Sequence, residues 1–96
     1  MPPELLERAA AVMKAIGHPL RLRILELLGA EREAGVTAIC AALRAGQPLV
    51  SQQLGRMRLE GILAARREGA QVFYSVARPE VLGVLDCIRR MGKEKR

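Results

Sequence analysis

Apolar residues recur every three to four positions through most of the chain, and that spacing predicts helices. Over PELLERAAAVMKAI, residues 3–16, a proline start precedes an amphipathic run. Gly17-His18-Pro19 breaks it, with His18 expected to cap or to pack there. A second helix follows over LRLRILELLG, with Leu22, Leu25 and Leu28 in phase and Gly29 as its expected C-terminal cap. Glu31 to Gly35 read as a polar link, with extended backbone for a residue or two at Val36. A short third helix is expected from Thr37 to Leu43, with Thr37 as N-cap and Ile39, Ala42 and Leu43 facing inward. After Arg44-Ala45-Gly46, Pro48 suits the first turn of a fourth helix. In that helix Val50, Leu54 and Met57 fall at i, i+4 and i+7 and face the core, and Gly61 ends it. Two helices joined by so short a turn containing glycine form a helix-turn-helix.

The period then shifts from helix to strand. ILAARR and QVFYSV flank Glu68-Gly69-Ala70, the pattern of a hairpin. Pro79 opens a last helix with a wide apolar stripe of Val81, Leu82, Val84, Leu85, Ile88 and Met91, and the tail MGKEKR is charged and expected to fray. The predicted fold is mainly α (α+β): a winged helix-turn-helix in one domain over residues 1–91, with a charged tail at 92–96. The helices at 3–16 and 79–91 are each apolar along one face and are expected to join two copies into a homodimer. Val81, Leu85 and Ile88 are expected at that seam, because so small a core cannot cover all three.

Composition narrows the partner. The chain has 96 residues, one Phe, one Tyr and no Trp, so its core is aliphatic. Sixteen Lys and Arg against 10 Asp and Glu leave a net charge of +6, which favours an anionic partner without choosing among DNA, RNA and a membrane surface. No stretch approaches the ~18 continuous apolar residues of a membrane span. The early acids of MPPELLERAA do not suit a secretion signal. Cys40 and Cys87 lie far apart with no CxxC, which fits a reduced, cytoplasmic setting. There is one histidine, and no Ser-His-acid grouping, phosphate loop or metal cluster. No enzyme activity, cofactor or metal is therefore expected.

The fourth helix is rich in glutamine rather than lysine, which narrows the partner further. Removing its core positions leaves Pro48, Ser51, Gln52, Gly55 and Arg56 outward, flanked by Gln47 and Gln53. Gln pairs bidentately with adenine, Arg with guanine, and Ser with either, whereas lysine strengthens phosphate attraction without reading sequence. A solvated helix face carries similar residues; the turn before it and the basic hairpin after it favour double-stranded DNA. Arg66, Arg67 and Gln71 stand near the hairpin tip, where arginine suits a phosphate backbone or a minor groove. An alternative is a basic winged-helix module that docks on RNA or a protein assembly without sequence-specific readout.

Motifs in the same order resemble the ArsR/SmtB family of bacterial transcriptional regulators, from about Ala15 to Val76. AIGHPLRLRILELL is similar to the family's second-helix entry, QPLVSQQLGRMRLEGIL to its recognition helix, and AARREGAQVFYSV to its wing. The resemblance implies a homodimer that binds an operator palindrome, represses, and releases on a chemical signal. It carries DNA reading onto Gln47, Ser51, Gln52, Gln53 and Arg56, and a wing role onto Arg66 and Arg67. Leu49 departs from the small hydroxyl residue usual there. The family's metal-binding cysteine pair is replaced by Gly35, Val36 and Thr37, and the last helix lacks the histidines of the other common metal site. QPLVSQQLG and REGAQVFY are also similar to the branch that senses thiols and reactive sulfur. That branch pairs a cysteine of the second helix with one of the last, and here the second helix has none. Cys40 borders the inner face of the third helix, where a free cysteine packs as a small hydrophobe. Cys87, with Arg90 and Met91 near it, is the better candidate for redox sensing, since a neighbouring arginine favours thiolate. The inducer, small molecule or oxidant, stays open.

Overall fold

In the computed structural model, residues 1–94 are described, and they form five helices and a small antiparallel sheet. Lys95 and Arg96, the end of the expected charged tail, lie outside the described residues. Helix α1 spans Pro3–Ile16 and α2 spans Pro19–Glu31. His18 caps α2, its Nδ1 accepting from the Leu20 amide at 3.2 Å. Strand β1 is Ala34–Gly35, and α3 follows directly over Val36–Leu43. Arg44 closes α3 in the left-handed region (φ 54°), a conformation more often given to Gly or Asn. Helix α4 is Gln47–Leu59, β2 Leu63–Glu68, β3 Gln71–Val76 and α5 Pro79–Glu94. The last helix thus continues past Met91, into the segment expected to fray.

One aliphatic core holds these elements. Ile24, Leu25 and Leu28 of α2 meet Ile39 of α3, Val50, Leu54 and Met57 of α4, and Ile62 and Leu63 at the base of the hairpin. The hairpin closes through Gly69-Ala70, with Gly69 at φ +63°, where a two-residue loop needs a residue free to adopt positive φ. Sheet order is β1-β3-β2. Leu63 pairs with Val76 and Glu68 with Gln71, while β1 adds itself to β3 through Ala34–Tyr74 and Gly35–Phe73.

Three local expectations are corrected. Gly29 does not cap α2, which runs two residues further, to Glu31; a Cβ on Gly29 would stand 2.9 Å from Leu82 Cδ2, so this glycine admits α5 to α2. Thr37 is not the N-cap of α3, because the helix begins at Val36 with Gly35 in the cap position. The extended residues are Ala34 and Gly35 rather than Val36, drawn there by pairing with β3.

The residues expected at the dimer seam differ in their exposure within a single chain. Val81 is 0 % and Leu85 6 % exposed within a single chain, covered by its own core, whereas Ile88 is 40 % and Met91 64 % exposed. The apolar surface left open is different. Helix α1 buries only Ile16 and leans on the body through Val12 and Ala15. It leaves Leu5, Leu6 and Met13 at 41 %, 51 % and 54 % exposure.

Candidate nucleic-acid interface

The positions that bury Val50, Leu54 and Met57 determine what α4 shows to solvent, because a helix advances 100° per residue. Ser51, Gln52 and Arg56 come out exposed on one stripe, and Gln47, Pro48 and Leu49 are exposed in the first turn. Gly55 lies on the same stripe, four residues after Ser51 and three after Gln52. A Cβ there would meet nothing within 4 Å, so nothing inside the chain demands glycine at this point. A helix-interior glycine costs about 0.5–1 kcal/mol relative to alanine.

Gln53 is less exposed than Ser51, Gln52 and Arg56. It is half-buried, and its Oε1 accepts from Arg21 Nε at 2.8 Å. Arg21 also donates through Nη1 to the Ala15 carbonyl at 2.6 Å and to Glu60 Oε1 at 3.0 Å. One guanidinium therefore joins the end of α1, the start of α2, the middle of α4 and the residue that follows it. Gln53 orients the helix from behind, and sequence alone gave no sign of this, since Arg21 lies far upstream. From the other side, Arg23 Nη2 donates to the Leu43 carbonyl at 2.6 Å, fixing α3 to α2 at the turn that launches α4.

The two wing arginines separate in the same way. Arg66 is chelated: Nε and Nη2 donate to the two carboxylate oxygens of Glu33, Nη1 to Glu68 at 2.6 Å, and its guanidinium lies 4.8 Å above the Phe73 ring. The hydrogen bond from Arg66 holds the Glu33 carboxyl below its usual value of 4.5, and the two carboxylates push the Arg66 guanidinium further up. Two acids thus offset the charge of Arg66, and one of them, Glu33, clamps the wing to the link before β1. Arg67 is exposed and enters none of these ion pairs. Gln71, at the start of β3, is exposed too. Among the described residues, Arg67 is thus the wing arginine without an ion pair, and Arg66 the one tied to Glu33 and Glu68. The pairing with Glu33 crosses 33 positions, and the arginine doublet itself carried no hint of which member is tied.

Cys40 is half-buried on α3, and Cys87 is exposed on α5 with Arg90 Nη2 at 3.3 Å from its sulfur. Among the described residues no three His, Cys, Asp or Glu side chains are grouped to hold a metal ion, and no helix is long and apolar enough to cross a membrane.

Comparison with known proteins agrees with this geometry. Residues 18–65 match the family model described as "Bacterial regulatory protein, arsR family". An uncharacterised HTH-type transcriptional regulator of Mycobacterium tuberculosis is 39% identical over 83 residues, 85% of this chain and 72% of that protein. The transcriptional repressor PagR of Bacillus anthracis is 36% identical over 83 residues, 86% of this chain and 83% of its own. The crystal structure of PagR superposes with a TM-score of 0.81 at 33% identity, covering 91% of this chain and 99% of that one. That of the antimony-specific repressor AntR reaches a TM-score of 0.90 at 28% identity, covering 98% and 85%. A helix-turn-helix with an open polar stripe, a clamped basic wing and these relatives lead to one assignment: the chain belongs to the ArsR family of bacterial DNA-binding transcriptional regulators.

Proposed function

We propose that two copies of this chain join through α1 and the end of α5, bind a palindromic operator in DNA and repress transcription until a chemical signal releases them. The observation that carries the reading is the division of labour on α4: apolar residues inward, Gln53 held from behind, and Ser51, Gln52 and Arg56 left open together. Gln47 flanks them at the start of the helix, and Arg67 supplies a phosphate or minor-groove contact from the wing. A homodimer follows from α1, which leaves most of its apolar residues uncovered in a single chain. It follows also from the half-site logic of such readers, whose recognition helices sit about one DNA turn (~34 Å) apart. A DNA-bound regulator of this kind works in the cytoplasm.

The test compares operator with random duplex. Gln52→Ala and Arg56→Ala each lose about 1–3 kcal/mol on the operator and much less on random DNA in fluorescence anisotropy. Equal losses on both duplexes overturn base reading by this stripe. The operator itself is found by selecting bound duplexes from a randomised pool.

A further inference from the structure

Between the second half of α1, the first turn of α2 and the segment that links α4 to β2 lies a cavity of about 520 Å³. That volume is in the range of small-molecule sites, ~300–1,000 Å³. Val12, Ala15 and Ile62 make part of its wall apolar. Around them stand four cations, Arg8, Lys14, Arg21 and Arg78, against the single carboxylate of Glu60. Arg78 is paired with Glu80 and Arg21 with Glu60, whereas Arg8 and Lys14 enter no ion pair among the described residues. An apolar wall beside unneutralised positive charge suits a molecule with a hydrocarbon body and one anionic head. A dianion or a sugar phosphate would leave that wall without a partner, and a neutral hydrocarbon would leave the cations unmatched.

We propose that this cavity binds an amphipathic organic carboxylate, and that its occupancy is the signal that weakens DNA binding. The connection is Arg21. Its guanidinium lines the cavity while holding Ala15, Gln53 and Glu60. A carboxylate that engages Arg8 and Lys14 also competes with Glu60 for Arg21. Each bond that Arg21 gives up is one that sets the angle of α4 against α1 and α2. The site itself stands independently; its effect on DNA rests on the operator-binding reading above.

The probes are octanoate, phenylacetate and, as the uncharged control, octanol. Amide shifts of the native protein are followed by NMR without DNA, and operator affinity is followed separately by anisotropy. Expected are saturable shifts confined to α1, the start of α2 and the segment around Ile62, with octanol binding roughly tenfold or more weakly, as the loss of a charge-assisted hydrogen bond implies. The double variant Arg8→Gln/Lys14→Gln loses carboxylate binding by a similar factor and keeps its urea midpoint and its operator affinity. In the native protein operator affinity falls with carboxylate present; in the double variant it does not. Absence of saturable shifts, equal binding of octanol, or undiminished binding in the variant overturns the site. A saturable site with unchanged operator affinity overturns its regulatory role. Should the native protein bind no operator at all, the DNA reading fails, while the titration without DNA still decides whether the carboxylate binds.

Discussion

Replacing Ile88 and replacing Leu85 look equivalent on a helical wheel, since both belong to the apolar stripe of α5, yet the structure separates them. Leu85 is 6 % exposed in a single chain, so Leu85→Ala should cost about 2–5 kcal/mol of folding stability. That is a large part of the ~5–15 kcal/mol available to a small domain. Ile88 is 40 % exposed and belongs with Leu5, Leu6, Met13 and Met91, which average about half exposed. Full burial of such side chains contributes about 1.5–3 kcal/mol each, so covering the exposed half contributes roughly 1 kcal/mol apiece, or about 10 kcal/mol over two protomers. Association costs ~4–15 kcal/mol, the same order as this gain, so the loss of a single seam residue shifts the balance. Ile88→Glu enters twice by symmetry. It removes about 2 kcal/mol of burial and places two carboxylates at the seam, raising the dimer dissociation constant roughly thirtyfold or more. Sedimentation across a concentration series, read beside thermal melts, measures both effects. Ile88→Glu should be a folded monomer with weakened operator binding, and Leu85→Ala a destabilised protein that still dimerises when folded. An Ile88→Glu protein that stays dimeric with full operator affinity, or that loses as much monomer stability as Leu85→Ala, refutes the seam.

On the wing, Arg67→Glu should lower affinity for operator and random duplex alike and flatten the salt dependence, whereas Arg66→Ala should chiefly loosen the wing; equal effects in a salt titration would deny the distinction. Because Glu33 sits below its ordinary value in the folded chain, its contribution is fully present above about 4.5 and is lost as pH falls through that depressed value. Wing amides should therefore show an acid transition in NMR that Arg66→Ala abolishes. Gly55→Ala should stabilise the chain by about 0.5–1 kcal/mol in urea denaturation while weakening operator binding; unchanged binding would remove the close approach of α4 to the groove. Hydrogen peroxide, by transferring oxygen to the Cys87 sulfur to form a sulfenic acid and water, should lower operator affinity in the native protein and leave Cys87→Ser bound, and equal responses would reduce Cys87 to a surface residue.

Local pattern alone was enough for the order of the five helices and the hairpin, though not for β1, which forms by pairing with β3. Val50, Leu54 and Met57 announce the inward face of α4 because a helix repeats every 3.6 residues whatever surrounds it, and the same period exposes Ser51, Gln52 and Arg56. The hairpin was equally legible, since QVFYSV and Gly69 are a strand and a turn by their own preferences. Amphipathicity, however, carries no address. It says that Val81 and Leu85 must be buried, but only the packing of α5 on α2, admitted by the missing side chain of Gly29, decides that their own chain buries them. Hydrogen bonds between distant residues are equally silent in sequence. Arg21 reaching Gln53 and Glu33 reaching Arg66 each span more than thirty positions, and each ties a side chain of the expected DNA-contact set to the body of its own chain. A guanidinium takes whichever acceptors the fold brings within about 3 Å, and that choice is made only when α2, α4 and the wing come together.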